Sequence, residues 1–346
     1  MSPYALSMLL SSLSAGTIIT LMSNHWFLAW IGLEINTLAM IPLMSKLHHP
    51  RATEAATKYF LMQAAASALL LFAIILNAWE TGEWTIISMQ TTTPLLMLTT
   101  ALMIKLAIAP FHLWLPDVMQ GLDLMTSLIL STWQKLAPMA LIIQMDSQLN
   151  PTLLIFLGTL SIALGGWGGL NQPQLRKIMA YSSTAHLGWM IVILTFSKPL
   201  TMINLLVYLM MTSSMFFLMI NFTSTNINKT ATSWMKNLSL IPTMMIILMS
   251  LGGLPPTSGF IPKWLILEEM TKQDMMPIAT IMALFALLSL FFYLRLTYAV
   301  SLTTPPSPTN SKIMWRLKTT TSQTMPTMIV LSTMLLPITP TILNLF

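Results

Sequence analysis

Four ionisable residues stand inside long apolar runs: Glu34, Lys105, Lys135 and Lys263. A lone charge at mid-bilayer costs about 2.5–3.5 kcal/mol on insertion scales, so such residues persist where they meet partners, water or a function. A carboxylate and several amines in one buried set can hand a proton from site to site. His112 and His186 also fall within apolar runs and titrate near neutrality, which suits the same relay. They form a single pair with no accompanying ligand pattern, so proton transfer is the expected role and no metal site is expected. Arg295 lies about five residues from the end of its run and reaches the interface by snorkelling. The competing reading of the set is structural: lysines snorkelling, or pairing with Glu34 to lock helices. One glutamate against three lysines leaves that pairing unbalanced.

Two runs are broken beside these charges. Lys105-Leu106-Ala107-Ile108-Ala109-Pro110-Phe111-His112-Leu113-Trp114-Leu115-Pro116-Asp117 carries two prolines, neither of which can donate to a preceding carbonyl. Gly252-Gly253-Leu254-Pro255-Pro256-Thr257-Ser258-Gly259-Phe260-Ile261-Pro262-Lys263-Trp264 cannot continue a regular helix at all. Pro110, Pro255, Pro256 and Gly259 are the residues expected to make the breaks. Non-helical backbone at membrane depth survives only where it is buried in protein or lines a wet cavity. Free carbonyls beside an intramembrane lysine therefore make a polar site.

The elements that must hold these residues follow from composition. The chain has 346 residues, 55% hydrophobic and only 8% charged. A soluble domain carries about 25% charge, so an ordinary soluble enzyme, a disordered chain and a nucleic-acid binder are excluded. The basic residues are dispersed, and nucleic acid is not an expected partner. Cysteine is absent, which excludes disulfides, thiolate-held zinc, Cys-ligated iron–sulfur clusters and Cys nucleophiles. No Gly-rich phosphate loop follows a strand.

A crossing needs about 20 apolar residues. The pattern predicts an all-α polytopic membrane protein of about eleven transmembrane helices. They run roughly over 3–22, 26–45, 57–78, 94–118, 124–145, 151–171, 175–196, 200–222, 239–268, 276–299 and 324–345. The broken crossings are the fourth and the ninth. Five crossings separate them, an odd number, so two five-helix halves run in opposite directions as inverted repeats, with one further C-terminal helix. The expected organisation is one transmembrane domain over 1–346: a first repeat over 1–149, a second over 150–300, and a long inside loop with the final helix over 301–346. Pro138 is expected only to kink the fifth crossing. Residues 83–88 have mixed β propensity and could pair as a short hairpin. Gly165-Gly166-Trp167-Gly168-Gly169 is expected to allow close helix packing.

Charge supports the count. On the side holding the N-terminus fall Lys46, Arg51, Lys58, Arg176, Lys177, Lys229, Lys236, Lys312, Arg316 and Lys318, and on the other only Lys198 and Lys272. Positive charge marks the side of insertion, so the N-terminus is expected inside and the C-terminus outside. The start Met1-Ser2-Pro3-Tyr4 lacks a basic region, so no cleavable targeting segment is expected.

The two broken segments, Lys105 to Asp117 and Gly253 to Trp264, resemble the antiporter-like membrane subunits of respiratory complex I. Length, crossing count, missing cysteines and a glutamate in only the second helix resemble a mitochondrially encoded member. The resemblance implies a multi-pass protein of the mitochondrial inner membrane, N-terminus in the matrix and C-terminus in the intermembrane space, acting in a proton-translocating NADH:ubiquinone reductase. It implies that Glu34 pairs with Lys105, that Lys135 is the connecting lysine, and that Lys263 belongs to the second broken helix. His112 and His186 would lie on the same line. It implies no cofactor in this chain, with NADH, FMN, Fe–S clusters and ubiquinone in partner subunits. The partners implied are other complex I membrane-arm subunits and lipid, cardiolipin included, with no function alone. The alternatives are an autonomous cation/proton antiporter and a structural spacer.

Overall fold

The structure is a computed structural model describing residues 2–46, 49–89, 91–235, 240–304, 324–339 and 341. Lys236, Lys312, Arg316 and Lys318, and most of the expected inside loop, lie outside the described residues. Among the described residues there is no β-strand, only isolated bridges between His25 and Thr85 and between Gln174 and Asn226.

The chain divides into two compact units, Met1–Leu157 and Gly158–Phe346. Unit 1 contains α1 (Pro3–Met22), α2 (Trp26–Met44), α3 (Pro50–Thr81), α4 (Thr92–Leu106), α5 (Trp114–Gly121), α6 (Leu124–Ser131) and α7 (Leu136–Gln144). α8 (Pro151–Gly169) carries the boundary. Unit 2 continues with α9 (Leu175–Leu194), α10 (Lys198–Phe222), α11 (Ile227–Ala231), α12 (Leu240–Gly252), α13 (Phe260–Lys272), α14 (Met276–Ser301) and α15 (Thr324–Met334).

Six of these helices, α1, α2, α3, α8, α10 and α14, are long and apolar enough to cross a membrane. Their abundant Ser and Thr are tolerated because each hydroxyl donates to a carbonyl about one turn back, as Ser7 does to Tyr4 at 2.8 Å and Thr20 to Thr17 at 2.8 Å. α3 exceeds its expected span because both ends are capped. Pro50 starts it, His49 Nδ1 accepts from the Arg51 N–H at 3.2 Å, and Gly82 ends it at φ +73°. α9 is more polar than these six, yet it is buried along nearly its whole length. A helix surrounded by protein can carry Ser182, Ser183, Thr184 and His186.

Three expected crossings are divided. The run 94–118 becomes α4 and α5, and 239–268 becomes α12 and α13, as the prolines and glycines require. The run 124–145 also divides, into α6, a 3₁₀ turn at Trp133–Lys135 and α7, where only a kink at Pro138 was expected. Pro138 stands in the first turn of α7, where its missing N–H costs nothing, and its ring excludes helix at Gln134. The expected hairpin at 83–88 does not form: Ile86–Ser88 is a 3₁₀ turn, and Thr85 bridges to His25 instead. One bridge satisfies the backbone because the segment is too short for two strands.

Small residues set the helix spacing. A Cβ on Gly16 would come within 2.9 Å of the Gly32 carbonyl on α2. In unit 2 a Cβ on Gly158 would come within 3.0 Å of the Gly188 carbonyl on α9, and one on Gly165 within 2.8 Å of the Ala185 nitrogen. The Gly-rich end of α8 therefore does allow close packing.

Candidate functional site

The two broken helices end in the same way. α4 stops at Leu106, Ala107 turns left-handed at φ +61°, and the Ile108 N–H donates to the Met103 carbonyl at 3.0 Å. α12 stops at Gly252, Gly253 turns left-handed at φ +80°, and the Leu254 N–H donates to the Met249 carbonyl at 3.3 Å. These are Schellman-type ends. In each, helix resumes seven residues after the left-handed residue, at Trp114 and at Phe260, with a proline two positions further on, Pro116 and Pro262. Pro110, Pro255 and Pro256 are exposed, so the prolines interrupt the helix from outside while polar groups face inward. Gly259 is buried, and a Cβ there would run into the Ser250 carbonyl.

In unit 1 the break exposes an interior. Lys105 and Lys135 both line a cavity of about 20 Å³, with Asn36, Thr37, Tyr59, Gln63, Trp114 and Gln134 on its walls. That volume holds about one water, and the lining supplies its hydrogen-bonding partners. Lys105 is only 7% exposed, and its Nζ has no hydrogen-bond partner among the described residues. Glu34, half-buried one turn before Thr37, accepts from the Thr37 hydroxyl at 3.0 Å. Its carboxylate acts electrostatically on Lys105 and Tyr59 without a direct ion pair to Lys105 among the described residues. Trp114 closes the break by donating its indole N–H at 3.2 Å to the Ile104 carbonyl, which also accepts the Ala107 N–H at 3.1 Å, so the indole adds a second bond across the interruption. His112 is buried beside the break but does not line this cavity, and it bonds to the Pro110 backbone.

In unit 2 the lysine turns back on the break. Lys263 Nζ donates to the Gly252 carbonyl at 2.8 Å, and its chain lies over Gly253. His186, Ser182, Trp189, Ser289 and Tyr293 surround the same small cavity, which is too tight for a water. The His186 and Tyr208 rings lie 5.6 Å apart. Arg295 is exposed and donates to the Leu170 carbonyl at 2.8 Å, as its place near a helix end led us to expect. No group of metal-ligating side chains assembles among the described residues.

Of the residues singled out by sequence, the structure groups Lys105 with Lys135 and His186 with Lys263. It adds Asn36, Tyr59 and Gln63 in unit 1, and Ser182, Ser289 and Tyr293 in unit 2. Asn36 and Gln63 were legible as amides inside apolar helices, but attention to full charges passes over them.

Comparison with known proteins agrees with this geometry. Residues 23–289 match the family described as NADH:quinone oxidoreductase/Mrp antiporter, transmembrane, and residues 290–343 match NADH dehydrogenase subunit 2 C-terminus. Relatives named NADH-ubiquinone oxidoreductase chain 2 are 57% identical in Tetraodon nigroviridis and in Squalus acanthias, each over 100% of this chain and 99% of theirs. The chain belongs to the NADH-ubiquinone oxidoreductase chain 2 family. A chain of respiratory complex I from Thermus thermophilus superposes on this family member with a TM-score of 0.83 at 25% identity, over 97% of this chain and 79% of that one. A chain of the Mrp complex from Dietzia sp. DQ12-45-1b shares the fold, with a TM-score of 0.80 at 18% identity over 87% of this chain and 61% of that one.

Proposed function

We propose that this chain is a membrane subunit of proton-translocating NADH:ubiquinone oxidoreductase that moves protons through Glu34, Lys105, Lys135 and Lys263, with His112 and His186 on the same line. Other membrane-arm subunits are its partners, and it does not act alone. NADH, FMN, Fe–S clusters and ubiquinone belong to partner subunits. The observation that carries the reading is Lys105: a buried amine without a hydrogen-bond partner among the described residues, facing a cavity shared with Lys135, beside an interrupted helix.

Magnitudes favour an electrostatic drive. Moving a proton against 100 mV takes about 2.3 kcal/mol. A charge pair at about 4 Å is worth about 4 kcal/mol at an effective dielectric of about 20. Closing or opening a Glu34–Lys105 contact is therefore large enough to load or unload an amine, and partner subunits need only bias that distance.

The reading includes about eleven crossings in two inverted five-helix repeats, 1–149 and 150–300, with 301–346 as an inside loop and last helix. It is supported by the identical spacing of the two breaks and by the glycine contacts between the first two helices of each half. It places the protein in the mitochondrial inner membrane, N-terminus in the matrix and C-terminus in the intermembrane space, supported by the one-sided basic residues. Those residues would also favour anionic lipid such as cardiolipin.

Lys135→Ala and Lys263→Ala test it in the assembled complex. The proposal expects fewer protons moved per NADH oxidised with assembly intact. An assembled variant pumping normally removes that residue from the path. Glu34→Gln should impair pumping more than NADH oxidation by a dye at the peripheral arm, and equal loss of both would indicate misassembly. The match to Mrp antiporters favours a second reading, autonomous cation/proton exchange, which predicts that the purified chain alone in vesicles exchanges a cation.

A further inference from the structure

The second break is held from outside its own two helices. Two contacts stay within it: the Lys263 amine donates to the Gly252 carbonyl, and Gly259 lies against the Ser250 carbonyl. Both join the start of α13 back to the end of α12. A third contact leaves the pair, where the Ser258 hydroxyl donates to the Ser332 carbonyl in the last turn of α15. Carbonyls of a last helical turn lack a partner within their own helix, so the end of α15 presents an open acceptor. Ser258 and Ser332 are both buried. A hydroxyl without a partner at such a site is costly, which fixes the two groups to each other. α15 is in turn fastened to α10, where Asn221 donates to the Met325 sulfur at 3.5 Å and Ser213 to the Met328 sulfur at 3.9 Å. A Cβ on Gly259 would come within 3.0 Å of the Met211 sulfur, so α10 and α15 together back the break. The first break is arranged otherwise at this position. Five residues after the left-handed residue stands Ser258 in the second break and His112 in the first, and His112 bonds to the Pro110 backbone of its own segment.

We propose that Ser258 is a positioning residue for Lys263, and that through it α15 holds the break in the form that brings the Gly252 carbonyl to the Lys263 amine. Ser258 lies between acceptor and donor, six residues after Gly252 and five before Lys263, so it pins the segment that joins them. A shift at Ser258 moves Gly259 against the Ser250 carbonyl and carries the first turn of α13, with Lys263 on it, away from α12. The last helix thereby decides whether that amine is bound to backbone or released. This inference rests on the reading of Lys263 as a proton carrier, and its test separates the two.

The test is a double-mutant cycle in the assembled complex in sealed vesicles, combining Ser258→Ala with Lys263→Met. Protons moved per NADH oxidised are expected to fall in Ser258→Ala, with NADH oxidation by a soluble dye and the amount of assembled complex at the parental level. With Lys263→Met already present, Ser258→Ala should lower the ratio no further, because its effect passes through the amine. Ser258→Thr, which keeps the hydroxyl, should restore the parental ratio. Should Ser258→Ala not assemble, Ser258→Cys keeps the bulk but donates only weakly, and should show the same pattern in smaller measure. A density map of the variant complex gives a second readout, in which the Lys263–Gly252 contact of 2.8 Å should open beyond hydrogen-bonding distance. A parental ratio in Ser258→Ala, losses that add in the double variant, or an unmoved Lys263–Gly252 contact would overturn the positioning role and leave the proton-carrier reading standing. A parental ratio in Lys263→Met alone would overturn that reading and this inference with it.

Discussion

The break between α4 and α5 and the break between α12 and α13 share one backbone and differ in chemistry. Ala107 and Gly253 are 146 residues apart, as are Trp114 and Phe260, and Pro116 and Pro262. Yet the lysine precedes the left-handed turn in the first and follows it in the second, where Lys263 takes the register position of Asp117. Among the described residues Lys105 is left without a hydrogen-bond partner beside a cavity, whereas Lys263 is satisfied by a carbonyl its own break exposes. The interruption is thus a backbone device, and the charge is placed upon it separately. The first break sets its amine against a cavity, and the second binds its amine to its own backbone.

Substitutions can sharpen this comparison. The largest structural effect should come from Gly259→Ala, whose Cβ meets the Ser250 carbonyl, a rigid group that cannot step aside. A loss of about 3 kcal/mol or more is expected, read as a lower melting temperature of the assembled complex. Leu113→Ala, the same register position in the first break, is 67% exposed and should change stability by less than about 0.5 kcal/mol. If both behave alike, the breaks do not differ as described.

The left-handed residues give a smaller, oppositely signed pair. Gly253→Ala should cost about 1–2 kcal/mol from its positive φ alone, and more because the Lys263 chain lies 2.9 Å from the added carbon. Ala107→Gly should instead stabilise, by up to about 1 kcal/mol, because Ala107 already occupies that region. Calorimetry of the two variants side by side checks the signs. Smaller still, Trp114→Phe keeps a ring against Tyr59 but removes one of the two bonds to the Ile104 carbonyl, which still accepts the Ala107 N–H, for a loss of about 0.5–1 kcal/mol read by the same calorimetry.

Much of this architecture was legible in the residues. Apolar runs located most of the described helices within a few positions, α3 beginning seven residues before its run, and the proline and glycine clusters at 105–117 and 252–264 located both breaks, because those residues act through local sterics. The interruption at Thr132–Lys135 was not legible, since nothing at those positions forbids helix and the cause, Pro138, lies downstream. Within the site, Lys105, Lys135 and Lys263 stood out by the cost of burying charge. Asn36, Gln63 and Tyr59 did not, because a neutral polar side chain in an apolar helix looks the same whether it faces a cavity or a neighbouring carbonyl. Which lysine is satisfied and which is not depends on tertiary contacts such as Lys263 to Gly252, and no spacing rule supplies those.

The central claim is that the buried amine at the first break carries a proton and does not merely hold helices together. The most direct measurement is the number of protons translocated per NADH oxidised by the assembled complex in sealed vesicles, with Lys105→Met, which keeps the side chain's bulk and removes its charge. The account predicts a clear fall in that ratio while NADH oxidation by a soluble dye and the amount of assembled complex stay at the parental level. An unchanged ratio in a fully assembled Lys105→Met complex would contradict it.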